Sequence, residues 1–225
     1  MPAKPSPYWP LDGLRLSVGD LMLRPVTEAD LDHLGDLLPA DLEMNPATPR
    51  PFGAAEQVAR GVAVRQEHWL RLGRWTPDSW TLDLLVHEHD RVIGVQELEA
   101  ADFRVLRTVE TASFLVPDAR GQGLGKLMRT AVLALAFEGL DAEVALTEAW
   151  SDNAASLGVS RSLGYLPNGS VRHLRDGRAA EMPRYRMDRS EWRAVPRPEV
   201  EISGLAECLP WFVAPDGADV SGPRG

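Results

Sequence analysis

The 225 residues predict one α/β domain, a mixed and mostly antiparallel sheet flanked by helices. Three observations carry that prediction. With 44% apolar and 25% charged residues, the chain can bury a proper core. Three consecutive strand-like segments with short links, spanning residues 80–116, read as an antiparallel meander. After them the pattern alternates strand, helix, strand as far as residue 187.

The same numbers exclude other classes. The composition fits neither a disordered chain, a collagen-like repeat nor a disulfide scaffold. The longest apolar runs, such as 131–137, fall far short of the roughly 20 residues a membrane span needs. The opening Met-Pro-Ala-Lys-Pro-Ser-Pro lacks the apolar core of a signal peptide, so the expectation is a cytoplasmic protein with no membrane partner. The single cysteine, Cys208, can form neither an internal disulfide nor a cysteine metal cluster and reads as a small hydrophobe. A net charge of −9 argues against a nucleic-acid partner and favours a cationic small substrate.

Taken in order, residues 1–13 carry four prolines and read as an extended arm. Leu14 to Val18 and Leu21 to Val26 form a strand pair around Gly19-Asp20. Thr27, with Asp30 three residues on, caps a helix over 28–38 that Pro39 ends. Glycines and prolines in 39–53 predict a mobile loop over one side of a cleft. Val58, Val62, Trp69 and Leu72 set a helix over 54–72, which Gly73 stops. Strands follow over 80–88, 91–99 and 108–116. Leu124, Leu127, Met128, Ala131, Val132 and Leu135 repeat at helical spacing, predicting a helix over 123–138 that Gly139 ends. Then come a strand over 143–150, a helix over 153–163, and strands over 165–174 and 178–187 flanking an Asp176-Gly177 turn. The domain is expected to span 14–192. Residues 193–225 form a proline-bearing tail, partly packed and flexible at its end. Its segment 201–212, with Ile202, Leu205, Leu209, Trp211 and Phe212, is too apolar to float free and should pack on the sheet or on a second subunit as a homodimer contact.

The sharpest local signal is Arg120-Gly121-Gln122-Gly123-Leu124-Gly125-Lys126, between a predicted strand and an amphipathic helix. Such a loop points several backbone N–H groups and a positive helix end at one spot, which suits a phosphate or pyrophosphate. The P-loop pattern fails because Arg120 and Leu127 stand where Gly and Ser or Thr are required. The dinucleotide fingerprint fails because its third glycine falls on Lys126. Read alone, the glycines also suit a plain turn into a helix.

In its context this segment resembles the acyl-CoA-binding motif of the GNAT N-acetyltransferase superfamily. Asn153-Ala154-Ala155-Ser156, followed by Leu163-Gly164-Tyr165, is similar to the N-x-x-S and L-G-F/Y signature of the branch containing the ribosomal-protein acetyltransferases RimJ and RimL. Leu23-Arg24-Pro25-Val26-Thr27, running on to Asp30, resembles that branch's opening segment.

The resemblance implies a fold in which two parallel strands, one ending at Val116 and one over 143–150, splay to hold acyl-CoA. It implies acetyl-CoA as donor, with succinyl-CoA as the alternative, and direct attack by a primary amine of a small molecule or a peptide N-terminus. No metal is implied. Amides of Gly121, Gln122, Gly123, Leu124, Gly125 and Lys126 would cradle the pyrophosphate, with charge from Arg120 and Lys126. Phe114, Leu115 and Val116 would pair with the pantetheine arm. Asn153 would bond the pantetheine or the strand end, and Ser156 would meet the departing thiol. Where the superfamily often carries a tyrosine acid, seven residues after the asparagine, this chain has Ser160.

An aliphatic amine with a pKa near 10 is about one part in a thousand neutral at pH 7, so a carboxylate must take its proton. Glu110, leading into the glycine loop, is the first candidate. Glu97 and Glu99, on one face of the preceding strand, are the others. His87 and His89 have ligand-like spacing without a third ligand and read as turn residues. Trp69, Trp75 and Trp80 suit core packing, or an aromatic wall for the acceptor. Two other functions fit the residues less well: a non-catalytic acyl-CoA-binding module, and an unrelated nucleotide-binding protein.

Overall fold

Alternating apolar and polar residues make Arg15–Val18 (β1) and Leu21–Pro25 (β2) an antiparallel pair, with Leu16, Val18, Leu21 and Leu23 on the buried side. The computed structural model describes residues 6–44, 51–175 and 177–213. Among them, β3 (Trp80–Glu88), β4 (Arg91–Ala100) and β5 (Thr108–Leu115) form the expected meander. β6 (Val144–Glu148) then joins β5 in parallel, and β7 (Leu166–Arg175) and β8 (Arg178–Asp188) form a hairpin. With β9 (Glu201–Ser203) the sheet runs β7-β8-β6-β5-β4-β3-β2-β1-β9, and β5–β6 is its parallel pair.

Helices cover both faces. On one lie α1 (Leu31–Leu37) and α2 (Glu56–Arg74). A short α3 (Phe103–Leu106) links β4 to β5. The other face is covered by α4 (Leu124–Ala134) and α5 (Ala154–Leu163), followed by α6 (Arg189–Ala194) and α7 (Leu205–Phe212).

Several boundaries move for local reasons. The predicted helix over 28–38 opens as a 3₁₀ turn, Glu28–Asp30, before α1 begins. Asp30 is the cause: it accepts the Thr27 amide at 2.8 Å and grips the Arg24 guanidinium at 2.6 and 2.7 Å. Against the pull of burial, these bonds hold its carboxyl at about 2. α2 runs past Gly73 to Arg74, because the Trp75 amide caps it on the Leu72 carbonyl. The long helix changes at Leu135 into a π-type turn ending at Gly139. A Cβ on Gly139 would lie 2.8 Å from Leu205, so the missing side chain makes room for α7.

The described parts of the two arms, 6–13 and 193–213, are packed more than their prolines suggest. Pro10–Gly13 is a 3₁₀ turn with Leu11 buried. The apolar tail packs on its own chain: β9 pairs with β1, and Cys208 and Phe212 are fully buried. Trp75 and Trp80 donate their indole N–H groups to the carbonyls of Trp211 and Phe212, at 2.8 and 3.1 Å. Trp9 meets Trp75 and Trp211 edge to face. So Trp75 and Trp80 anchor the tail, while Trp69 is half exposed and bonds Glu28. The Cys208 thiol donates to the Pro10 carbonyl, and burial pushes its pKa up to about 11. No helix among the described residues is long and apolar enough to cross a membrane. Within the loop predicted over 39–53, residues 45–50 lie outside the described residues, as does Asp176 of the predicted hairpin turn.

Candidate functional site: a slit between two parallel strands

The parallel pairing of β5 and β6 stops after three rungs, Thr108 with Val144, Val109 with Ala145, and Glu110 with Leu146. Just beyond, the two strands are tied by side chains. Thr147 Oγ1 donates to the Thr111 carbonyl at 3.1 Å, and Thr111 Oγ1 faces the Leu146 carbonyl at 3.5 Å. From Ala112 to Leu115, β5 has β4 on one side and no strand on the other. That unpaired edge is one wall of a slit, and α5 stands across from it.

β5 holds its course because Gly94 lets it pass closely: a Cβ there would sit 2.1 Å from the Phe114 carbonyl oxygen. At the far end the chain turns through Pro117–Ala119 into the glycine loop. Gly121 and Gly123 adopt φ of +75° and +83°, a left-handed conformation that disfavours other residues, and Gly123 is the N-cap of α4. Among the described residues no turn or cap hydrogen bond engages the amides of residues 121–124. Gly125 serves contact instead, since a Cβ there would touch Val159 and Leu115 at ordinary distances. Lys126 is exposed. Arg120 is engaged elsewhere: it grips Asp41 at 2.6 and 2.9 Å and donates to the Leu115 carbonyl, tying the loop to the segment after α1. Gln122 donates to the Asp118 carbonyl.

Towards α1 and α2 the slit opens into a cavity of about 320 Å³. Its walls are apolar, with Leu34, Leu38, Val64 and Phe114 among them, and its floor carries Arg71, Asp83 and Glu97. Arg71 binds Glu97 at 2.5 Å and also binds Asp83. Alternation along β4 and β5 puts Glu97, Glu99, Glu110 and Ala112 on this same face, where Glu97 opposes Ala112 and Glu99 opposes Glu110. Burial, with the neighbouring Glu97 and Glu110 charges, pushes Glu99 up to about 7. Burial and the Glu148 charge raise Glu110 as well, and Arg184 at 3.5 Å opposes the shift. Glu148, at the end of β6, lies 3.2 Å from Arg184 and 3.4 Å from His173.

Towards α4 and α5 the slit has a different lining. Asn153 caps α5 by accepting the Ser156 amide at 3.1 Å. The Ser156 hydroxyl has no protein partner among the described residues. One turn on, Ser160 is buried, donates to the Ser156 carbonyl and accepts from Arg129 at 2.9 Å.

Of the predicted residues, Glu110 and Glu97 lie on the acidic face, Phe114, Leu115 and Val116 run along the end of β5 into the turn before the loop, 121–126 lie at the end of the slit, and Asn153 and Ser156 lie across it. The sequence reading missed Arg129, Glu148 and the Arg71–Asp83 pair. Arg129 did leave a signal, as the single charge in the otherwise uncharged run 127–136. Glu148 and Asp83 left none, because cross-strand neighbours are set by register. His87 lies on β3 and His89 in the turn after it. Among the described residues no group of three His, Cys, Asp or Glu could hold a metal ion.

Comparison with known proteins agrees with this geometry. A family model described as an acetyltransferase (GNAT) domain matches residues 20–166. Among solved structures, RimJ of Mycobacterium smegmatis in complex with CoA-disulfide superposes with a TM-score of 0.63 at 15% identity, covering 89% of this chain and 95% of that one. RimL, a ribosomal L7/L12 α-N-protein acetyltransferase in complex with coenzyme A, gives 0.60 at 16% identity over 77% of this chain and 97% of its own. Spermidine N-acetyltransferase from Vibrio cholerae, in complex with CoA and spermine, gives 0.60 at 15% identity over 77% and 98%. With a family match over well more than half of its length, and the splayed parallel pair and glycine loop in place, the chain belongs to the GNAT family of N-acetyltransferases.

Proposed function

We propose that this enzyme moves an acetyl group from acetyl-CoA to a primary amine, on a small molecule or a protein N-terminus, by direct attack and without a covalent enzyme intermediate. The observation that carries this reading is the slit itself, which ends at a loop of free amides and opens on one face into a carboxylate-floored cavity.

The unengaged amides of residues 121–124 hold the donor's pyrophosphate at the positive end of α4; the Lys126 amide is held by the Gly123 carbonyl, so Lys126 adds only its side-chain charge, while Arg120 stays with Asp41. On the open edge the backbone of Leu115 faces the pantetheine arm as a neighbouring strand would, while the Val116 amide stays on the Ile93 carbonyl and Phe114 is turned to β4. The donor supplies an activated acyl carbon; the rest falls to the protein. The acceptor enters from the cavity, whose carboxylates attract it as an ammonium ion. It must lose a proton before attack. Glu110 takes that proton, since its raised pKa brings it nearer the working pH than an ordinary carboxylate. Glu97 is held by Arg71 and serves to orient the incoming amine. Ser156 meets the sulfur side, and Asn153 fixes the helix that carries it.

A calorimetric titration of the protein with acetyl-CoA, succinyl-CoA, NAD and ATP tests the donor, followed by a turnover screen of amines and peptides. Saturable acetyl-CoA binding, with CoA release that depends on an added amine, is expected. Tighter binding of succinyl-CoA would change the donor, and acyl-CoA binding without turnover on any amine would make the chain a binding module.

A further inference from the structure

Arg129 is 3% exposed, yet no carboxylate pairs with it among the described residues. Its Nη1 reaches Ser160 Oγ at 2.9 Å, its Nη2 reaches Ser113 Oγ only at 3.4 Å, and its Nε has no partner. The ionisable groups around it are Tyr165, itself buried, and beyond that Arg197. A desolvated guanidinium without a counter-charge is costly, so a fold that keeps one has an anion to place there, or bears the cost for nothing.

The position says which anion. Ser113 stands on the open edge of β5, within the slit, and Ser160 is on α5, which forms the facing wall. Gln96, which opposes Ser113 on β4, is also fully buried and leaves its Oε1 without a partner, so the protein does not complete the polar groups at this rung. The carboxylates lie on the opposite face of the sheet. The slit is therefore polarised, with acids where the amine arrives and a cation on the far side.

We propose that Arg129 is the catalytic cation that receives the departing thiolate, acting in place of a general acid. This rests on the acyl-CoA reading of the slit. The amine lone pair attacks the thioester carbonyl carbon, the new C–N bond forms, and the C–S bond breaks with its electron pair going to sulfur. Glu110 passes the first proton, taken from the ammonium before attack, to solvent, and then accepts the second proton, which the N–H+ of the adduct loses as the amide forms. The thiolate accepts N–H bonds from Arg129 and is protonated by solvent after release. No acid needs to stand at residue 160.

Ultraviolet titration of the thiolate of enzyme-bound CoA tests this, with the sulfur-free CoA analogue as blank. A thiol enclosed in protein without a cation would titrate above the free value of about 8.5. Arg129 should bring it below that in the wild type, by about one pH unit relative to Arg129→Gln, with Arg129→Lys closer to wild type. A bound thiol that titrates at or above the free value in the wild type overturns the proposal, and does so even if Arg129→Gln does not fold. So does the same titration in wild type and Arg129→Gln. Absence of saturable CoA binding to the wild type would sink the acyl-CoA reading itself, an outcome distinct from CoA bound with an unshifted thiol.

Discussion

The two faces of the sheet are built to opposite rules. Under α4, α6 and α7 lies one continuous apolar core that includes Met128, Ala131, Leu135, Phe137, Trp192 and Phe212, nearly all of it fully buried. Under α1 and α2 the buried cluster shrinks to Val26, Leu31, Leu34, Leu85 and Val95, next to a cavity and a row of carboxylates. Close packing stabilises, but it leaves no room for a substrate. One face supplies the stability that lets the other stay open and charged.

Substitutions can break or sharpen that contrast. Gly123→Val, placing a β-branched residue at φ +83° in the glycine loop, should abolish CoA binding and cost about 1–3 kcal/mol of backbone strain while the fold is kept, since no neighbour lies within 4 Å of the added Cβ. Calorimetry and thermal melts read the two effects separately. Next in size, Met128→Ala in the closed face should cost about 2–5 kcal/mol in denaturant unfolding, whereas Val64→Ala beside the cavity should cost about 1 kcal/mol or less. Equal costs would erase the distinction between the faces.

Glu110→Gln should lower turnover by roughly 10²-fold, on the scale of general-base catalysis, mainly below pH 8. The loss should shrink as pH climbs towards the amine's own pKa, where the base has less to do. A rate ratio independent of pH would assign the proton to another group.

The smallest effect concerns what the open face costs. Glu99 is held at about 7, so between about pH 4.5 and 7 the unfolded chain loses this proton while the folded one keeps it. Its contribution therefore falls as pH rises through that window. Glu99→Gln should match wild-type stability near pH 4 and exceed it at pH 8, by about 2 kcal/mol. Chemical unfolding at the two pH values checks it.

Much of the frame was legible because it depends on local periodicity. β3 runs over the predicted 80–88, and the glycine loop, the Thr27–Asp30 cap and the Asn153 cap lie where their residues put them. Short elements carry too little period to be read. Thus α3, α6 and β9 went unpredicted, and α7, with Pro210 inside it, showed only as an apolar tail. Of the site, the parts set by one segment were readable: the loop at 120–126, and Glu97 and Glu99 by alternation. The parts that need two segments were not.

The sequence by itself determined the longer elements, the sheet's mixed character, the place of the glycine loop and the family, since each is written in spacings of a few residues. Only the tertiary structure decided that the parallel pairing stops at Glu110, because that depends on where β6 docks and on Gly94 admitting the Phe114 carbonyl. It also decided that the tail closes the chain's own sheet edge, and that Arg129 lies buried beside Ser113 and Ser160 without a carboxylate. Those are long-range relations among segments up to nearly two hundred residues apart, as in the Cys208 bond to Pro10, and no local pattern encodes them.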